Sequence, residues 1–490
     1  MIKIVRMIRT TLVLMFLFVT PLILSACSTN AATGKQQFTA LMSPAQENQI
    51  GASEHQKIAA QYGFYENAKV KAYVDEIGRK VSADTERPDV KYKFYVLDSP
   101  IVNAFALPGG YIYFSRGLLA LANSEAEVAA VMAHEVGHIT GRHSAERYSR
   151  SAVTALGANI LSVALDSGAA SQALGLGANL YLSSYSRSQE NESDTLGLRY
   201  MTRAGYHPES MPKFLSSLHA RSALDGKLDG KKGQGGANYF STHPPTGARV
   251  TKTKGEAQAY ASAGTVGRDR HFSIINGMTY GDSAKQGFAR GQKFYHPEIG
   301  FMFEAPAGYK IVNQPTQVVA QSTKDNAVMA FDMAANKGKL DAVTYLNQIW
   351  MKGENIRSTQ AIKVNGMKAA TATFAGNVNG RRADIRLIAI EFKPDSIARF
   401  QIAIPTGASA SVVEGLKKAS YSFRGLSQKE RSSLKPVRVK IVTARAGDTV
   451  QSLANKMAQP DFKLERFMTL NALVPGEGLK SGRSYKVVTY

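Results

Sequence analysis

The sequence predicts an α+β chain of several domains, and three observations carry that expectation. Its 490 residues exceed what one ordinary core organises. Residues from about 43 to 260 mix helical patterns with short strand-like pieces, and from about 290 the texture changes to strands and hairpins. The expected architecture is a mainly helical domain with a short edge-strand sheet over 43–260 and a linker over 261–290. A β-rich α/β domain over 291–426 follows, and a small β-α-α-β unit over 437–490 ends the chain.

At the N-terminus, Lys3, Arg6 and Arg9 precede the apolar run TLVLMFLFVTPLIL, too short to span a bilayer comfortably and followed by small residues. That composition predicts an export signal over 1–26. Leu24-Ser25-Ala26-Cys27 follows, and it resembles the lipobox of bacterial lipoproteins. The resemblance implies acylation of Cys27, and Ser28 behind it implies the outer membrane. Cys27 is the only cysteine, so an intrachain disulfide is excluded. The small polar residues after it predict a tether over 27–42. A formal net charge of +22 favours anionic partners. Export sets nucleic acid aside and leaves lipid headgroups or cell-wall polymer.

The stretch VMAHEVGHITGRH (131–143) lies in a helical pattern that opens with Ser124 and Glu127 in capping-box spacing and stops at Gly141. Four residues is slightly more than one turn, so His134 and His138 project from one side and can grip one ion. Glu135, one step around, stands where a base must stand to take a proton from zinc-activated water. Two histidines leave a zinc site incomplete. In SRSQENESDTLGLRYM, Glu190 and Glu192 both offer a carboxylate, but Glu190 shares a helix face with Asp194 while Glu192 points nearly opposite. Glu190 is therefore the expected third ligand, and Asp194 the acceptor behind a ligand histidine. His143, five residues past His138, reads as a surface residue.

Pro108-Gly109-Gly110 predicts a turn into a short strand, YIYFS (111–115), which at a sheet edge would offer backbone groups to an extended peptide. Between the two expected metal helices, the Ala- and Gly-rich interval 151–182 is too broken to cross a bilayer, and predicts packed helices or a lid. In the second domain, Asn365-Gly366 and Asn379-Gly380 are hairpin signals. Leu340, Val343, Leu346, Ile349 and Trp350 fall on one face of an expected helix. The pattern of this domain is similar to PsbP-like sandwiches. At the C-terminus, AGDTVQSLA and LNAL within a β-α-α-β order resemble a LysM domain, which implies binding to peptidoglycan glycans.

NAFALPGGYIYFSRGLL, AHEVGH, SRSQENESDTLG and STHPPTGARV follow one another in this chain over roughly 40–255. In that order they resemble the zinc metallopeptidase family of the CAAX prenyl protease, the mitochondrial Oma protease and periplasmic β-barrel assembly-enhancing proteases. The resemblance implies a gluzincin-type endopeptidase with Zn2+ on His134, His138 and Glu190, Glu135 as base and Asp194 behind the ligands. It also implies that His243 approaches the zinc and restrains activity, with Arg249 nearby. The residues alone equally support His243 as a cap before two prolines.

The expected function is hydrolysis of misfolded or stalled envelope proteins on the periplasmic side of a Gram-negative outer membrane. The alternative is an assembly chaperone or scaffold with a latent peptidase. A cell-wall hydrolase, suggested by the C-terminal unit, ranks last.

Overall fold

A computed structural model describes residues 27–164, 184–228, 239–244, 246–260, 263–322, 324–352, 359–378 and 380–490. The expected signal over 1–26, most of the interval 151–182 and Asn379 lie outside these residues. The chain divides into two units, 1–280 with 438–489, and 281–437 with Tyr490.

The first unit begins with β1 (Cys27–Thr29) and β2 (Gln36–Phe38), an antiparallel hairpin where a tether was expected. Asn30 explains the difference. Its side-chain oxygen accepts from Ala32 N–H at 2.8 Å, and its amide donates to Thr140 O at 2.9 Å. Helix α1 (Pro44–Tyr62) starts on a capping box between Ser43 and Gln46, and α2 (Ala68–Ser82) on an Asn67 cap. Val70, Val74, Ile77 and Val81 recur at helical spacing and are the face α2 buries.

Strands β3 (Lys93–Leu97), β4 (Ala104–Leu107) and β5 (Tyr111–Ser115) form a sheet of order β3-β5-β4, with β3 parallel and β4 antiparallel to β5. YIYFS is therefore the central strand, contrary to the edge considered for it. Gly109 and Gly110, at φ +77° and +89°, close a turn tight enough for β4 to pair back. The sheet's edge on that side is β4, whose four residues are all buried.

The helices that follow are α3 (Arg116–Leu121), α4 (Glu125–Thr140), α5 (His143–Ala164), α6 (Arg187–Arg203), α7 (Ser210–Leu228), α8 (Tyr239–Thr242), α9 (Gly247–Ala257) and α10 (Arg268–Ile275). Every residue of α4 is buried, so it runs through the core. Among the described residues no helix is long and apolar enough to cross a membrane. The stretch expected as a linker contains α10, because His271, Phe272 and Ile275 belong to this core. Its Val266 and Gly267 carbonyls accept from Ala126 and Glu125 N–H at the start of α4.

The last residues form Arg438–Thr443 paired antiparallel with Ser484–Thr489, with helices Val450–Ala454 and Lys463–Leu470 between them. The order is β-α-α-β, but this element is docked on the body of the first unit rather than independent. Val439 exchanges backbone hydrogen bonds with Gly277 and Met278. The buried Lys486 donates to the carbonyls of Ala120, Leu121 and Ala122 at 2.8, 2.9 and 2.7 Å. These are orphan acceptors at the C-terminal end of α3, where a cation also meets the negative end of the helix dipole.

The second unit holds a seven-stranded antiparallel sheet and a four-stranded one. Phe294, Phe301 and Phe303 of the smaller sheet share a core with Phe331 and Phe400 of the larger. Asn365 and Gly366, at φ +46° and +82°, make the expected hairpin turn between Val364 and Met367. The expected helix is α-helical only over Ala342–Tyr345 and widens into a π turn over Leu346–Trp350. The widening rotates Ile349 into solvent at 55% exposure.

His271 ties α10 to its neighbours, 2.9 Å from the Tyr73 hydroxyl and 3.2 and 3.1 Å from the carbonyls of Leu119 and Ala122. Burial, with Lys486 adding to it, pushes this imidazole down to about 3. The unfolded chain therefore binds a proton below about pH 6.5 that the fold refuses, and stability falls as pH drops through that window. From pH 7 to pH 5 the loss from this group should be ~2 kcal/mol. Denaturant titrations should find a flatter dependence in His271→Gln, and parallel curves would count against the assignment.

Candidate metal centre

Helix α4 carries His134, Glu135 and His138, and its start is set by Ser124, whose hydroxyl accepts from Glu127 N–H at 3.2 Å. The return half of the expected capping box lands one residue earlier: the Glu127 carboxylate accepts from Asn123 N–H at 2.7 Å. Helix α6 carries Glu190 and Asp194, opened by a full capping box of Ser186 and Gln189. His243 follows the short turn α8, and Arg249 lies in the first turns of α9, which Thr246 caps.

Small residues bring α4 and α6 together. A methyl group on Gly137 would lie 2.8 Å from Ser193 Oγ and 3.0 Å from Ser193 O, and one on Gly197 would lie 3.0 Å from His134 N. Ser193 Oγ donates to His134 O at 2.7 Å, tying the crossing.

At that crossing four donors converge. Ligand atoms of His134, His138, Glu190 and His243 all lie within 4.8 Å of one another. His134 Nε2 is 3.0 Å from His138 Nε2, 3.3 Å from His243 Nδ1 and 3.6 Å from Glu190 Oε2. Glu190 Oε1 is 2.8 Å from His243 Nδ1 and 3.4 Å from His138 Nε2. Two ligands each ~2.0–2.2 Å from a shared tetrahedral ion stand roughly 3.3–3.6 Å apart, which matches three of these separations, while the 3.0 Å His134–His138 and 2.8 Å Glu190–His243 distances are shorter and would open slightly around a four-coordinate cation. Nitrogen and carboxylate donors suit a borderline-soft divalent metal.

The surroundings complete the set. Asp194 Oδ1 stands 2.9 Å from His134 Nδ1, the nitrogen turned away from the other donors. Arg249 clamps Asp194 at 2.7 and 2.8 Å and reaches Glu190 Oε2 at 2.7 Å. Glu135 lies beside the donors, its Oε1 3.6 Å from His243 Nε2, and among the described residues neither of its oxygens accepts a hydrogen bond. All of these side chains are at most 5% exposed.

Burial pushes the Glu135 carboxyl up, with His243 and His134 opposing. Burial also disfavours the charge on Glu190, but His243 and the His138 contact outweigh it and hold this carboxyl well below the usual range. Arg249 does the same for Asp194 against its burial. Burial drives His138 well down, which keeps its ring neutral, as a metal ligand must be.

The structure thus brings His134, His138 and Glu190 together, adds His243 as a fourth donor, and sets Glu135, Asp194 and Arg249 around them. Cys27 opens β1. Glu192 points away from the donors, 3.4 Å from His143 Nε2. His143 is a correction: expected at the surface, it is 1% exposed and contacts His138. The helix stops at Gly141 as expected, but Arg142, at φ +50°, then turns the chain back, so the angle of residue 143 around an extended helix does not describe where its side chain goes. Tyr185, stacked on His138 at 3.8 Å, was also missed, for want of any local pattern.

Residues 68–257 match the model of Peptidase family M48. The chain is 33% identical over 183 residues to the mitochondrial metalloendopeptidase OMA1 of Schizosaccharomyces pombe, 37% of this chain and 51% of that protein. It is 28% identical over 186 residues to the beta-barrel assembly-enhancing protease of Escherichia coli, 36% of this chain and 38% of that protein. The matches thus span about half or less of the length of these relatives. The solution structure of cyanobacterial PsbP from Synechocystis aligns at 13% identity over 27% of this chain and 91% of that one, with a TM-score of 0.24.

Gly137→Ala tests the helix crossing. The gain in helix propensity, ~1 kcal/mol, opposes an overpacking cost of ~1–3 kcal/mol against backbone that cannot step aside. The variant should be less stable in denaturant and bind a divalent metal more weakly in chelator competition. Gly255→Ala, at an exposed position of α9 with no described residue within 4 Å of the added methyl, should instead stabilise slightly.

Proposed function

Residues 68–257 carry a domain of peptidase family M48, and from that premise we propose that the chain is a zinc-dependent endopeptidase of the bacterial cell envelope. The observation that carries the reading is the convergence of His134, His138 and Glu190 beside the buried carboxylate of Glu135. His134, His138 and Glu190 would hold zinc, which would supply Lewis acidity toward a peptide carbonyl and a lowered pKa for water. Glu135, its carboxyl pushed up by burial, takes a proton and hands it to the leaving amine. Asp194 holds His134 from behind, and Arg249 fixes Asp194 and Glu190 together.

His243 would take the fourth ligand position beside His134, His138 and Glu190, and the arrangement would then be a closed one. Substrate entry requires the short turn before His243 to move. The same contact supports the second reading, an assembly scaffold whose peptidase is latent.

The Escherichia coli relative is named for enhancing beta-barrel assembly, and the setting proposed for this chain is envelope protein quality control, with misfolded or stalled envelope proteins as substrates. Acylation of Cys27 belongs to this proposal. It places the lipid three residues before Asn30, which is bonded to the last turn of α4, and so holds the active site close to the membrane surface. The C-terminal β-α-α-β element, LysM-like in its motifs, is proposed to contact wall glycan.

Zinc-loaded full-length protein should cleave unfolded casein, and a strong chelator should stop it. Glu135→Gln should lower the rate ~10²–10⁴-fold with zinc content unchanged, while His243→Ala should raise it. Cleavage by Glu135→Gln at the wild-type rate would sink the enzyme reading. Equal rescue of an envelope defect by wild type and Glu135→Gln would favour the scaffold.

A further inference from the structure

Asp194 stands behind His134, and the other histidine of the pair has its own support on a different element. His138 Nδ1 lies 2.8 Å from His143 Nδ1, with the two rings edge-on at 77°. We propose that His143, backed by Glu192, is a positioning residue for the metal centre, locking the ring rotation and tautomer of His138. The inference rests on the metal reading of His134, His138 and Glu190.

The hydrogen-bond bookkeeping fixes its direction. Two imidazole nitrogens 2.8 Å apart share one proton. His138 Nε2 faces His134 Nε2 at 3.0 Å and Glu190 Oε1 at 3.4 Å, where a lone pair must point if the ring is to ligate. The proton therefore sits on His138 Nδ1, which donates, and His143 Nδ1 accepts. A neutral His143 then carries its own proton on Nε2, which faces Glu192 Oε1 at 3.4 Å. Glu192 is paired in turn with Lys35. The chain runs outward from a side chain 1% exposed at His143, through 11% at Glu192, to 61% at Lys35, so it ends in solvent.

Packing holds His143 in this pose. A methyl group on Gly141 would lie 2.5 Å from His143 Nε2, so the ring lies directly over the backbone of the helix end. Arg142 supports the reversal from its strained conformation, donating to Glu47 at 2.9 Å, Thr39 at 3.0 Å and Met42 O at 2.7 Å. On α5, His143 and Arg147 share a face. Arg147 lies over the Tyr185 ring at 4.1 Å, and Tyr185 stacks on His138 at 3.8 Å. His138 is thus gripped at its outer nitrogen by His143 and on its face by Tyr185, both arriving from outside α4.

The test uses the full chain and reads metal binding rather than turnover. Zinc affinity is measured by competition with a chromophoric chelator, and coordination by the visible spectrum of the cobalt(II)-substituted protein. His143→Ala should weaken zinc binding ~10–100-fold and alter the cobalt bands. His143→Asn, whose Oδ1 can accept where Nδ1 does, should recover most of the affinity and the wild-type bands. Glu192→Gln should give a smaller loss in the same direction, and it decides the question if His143→Ala does not fold. The proposal is overturned if His143→Ala or, failing that, Glu192→Gln binds zinc as wild type does. It is overturned equally if His143→Asn is as weak as His143→Ala. Zinc binding by wild type with unaffected variants removes this inference alone; no binding by wild type removes the metal reading with it.

Discussion

The close crossing of α4 and α6 is the constraint on which the site depends. Helices bearing ordinary side chains pack with axes 8–10 Å apart. Here Gly137 and Gly197 remove the side chains that would hold these two apart, and the Ser193 hydroxyl spans the remaining gap to the His134 carbonyl. One helix presents two imidazoles and the other a carboxylate. A cation held at ~2.0–2.2 Å tolerates errors of only a few tenths of an ångström. Backbone contact at the crossing supplies that tolerance more rigidly than long side chains meeting tip to tip.

The crossing also concentrates charge where charge is costly. Glu135, Glu190 and Asp194 are buried together, and the guanidinium of Arg249 bridges only the last two. An unpaired buried charge costs several kcal/mol. Burial of Glu135 is met by raising its pKa, whereas Glu190 and Asp194 stay ionised because His243, His138 and Arg249 outweigh the loss of water. Carboxylates in excess over the one guanidinium, beside the His138 ring that burial keeps neutral, suit a divalent ion. The same imbalance explains why His243, set between Glu190 and Glu135, has its imidazole pushed up despite complete burial.

Features with a short sequence period were legible. The i, i+4 spacing of His134 and His138, the matching spacing of Glu190 and Asp194, and the Asn365-Gly366 turn each follow from local geometry that needs no partner. What escaped depends on distant contacts. Arg142 adopts a left-handed conformation because Glu47, Thr39 and Met42 hold its side chain, and no local propensity foretells that in an arginine. His143 was misplaced as a consequence. β4 carries no alternation to announce it, since AFAL is buried on both faces, so β5 looked like an edge. Lys486 sits in a strand whose other residues read as ordinary, and only the carbonyls at the end of α3 show why the last fifty or so residues dock.

The elements that hold the site differ in how firmly they are tied. The first N–H groups of α4 find the Val266 and Gly267 carbonyls, while at its far end Asn30 and Gln37 donate to the Thr140 and Gly141 carbonyls. Both ends of this helix, normally left with orphan groups, are thus closed by segments far away in sequence. Sliding or tilting α4 would break all of these at once. Among the described residues, the turn Tyr239–Thr242 before His243 is joined to its surroundings by Tyr239 N–H to Val102 O and Tyr185 N–H to Thr242 O, and the buried Tyr239 ring stacks on His243 at 4.6 Å. Hydrogen bonds of this kind contribute ~1 kcal/mol each. His134 and His138 therefore ride on a helix fixed at both ends, and His243 on a short turn packed against the core through Tyr239.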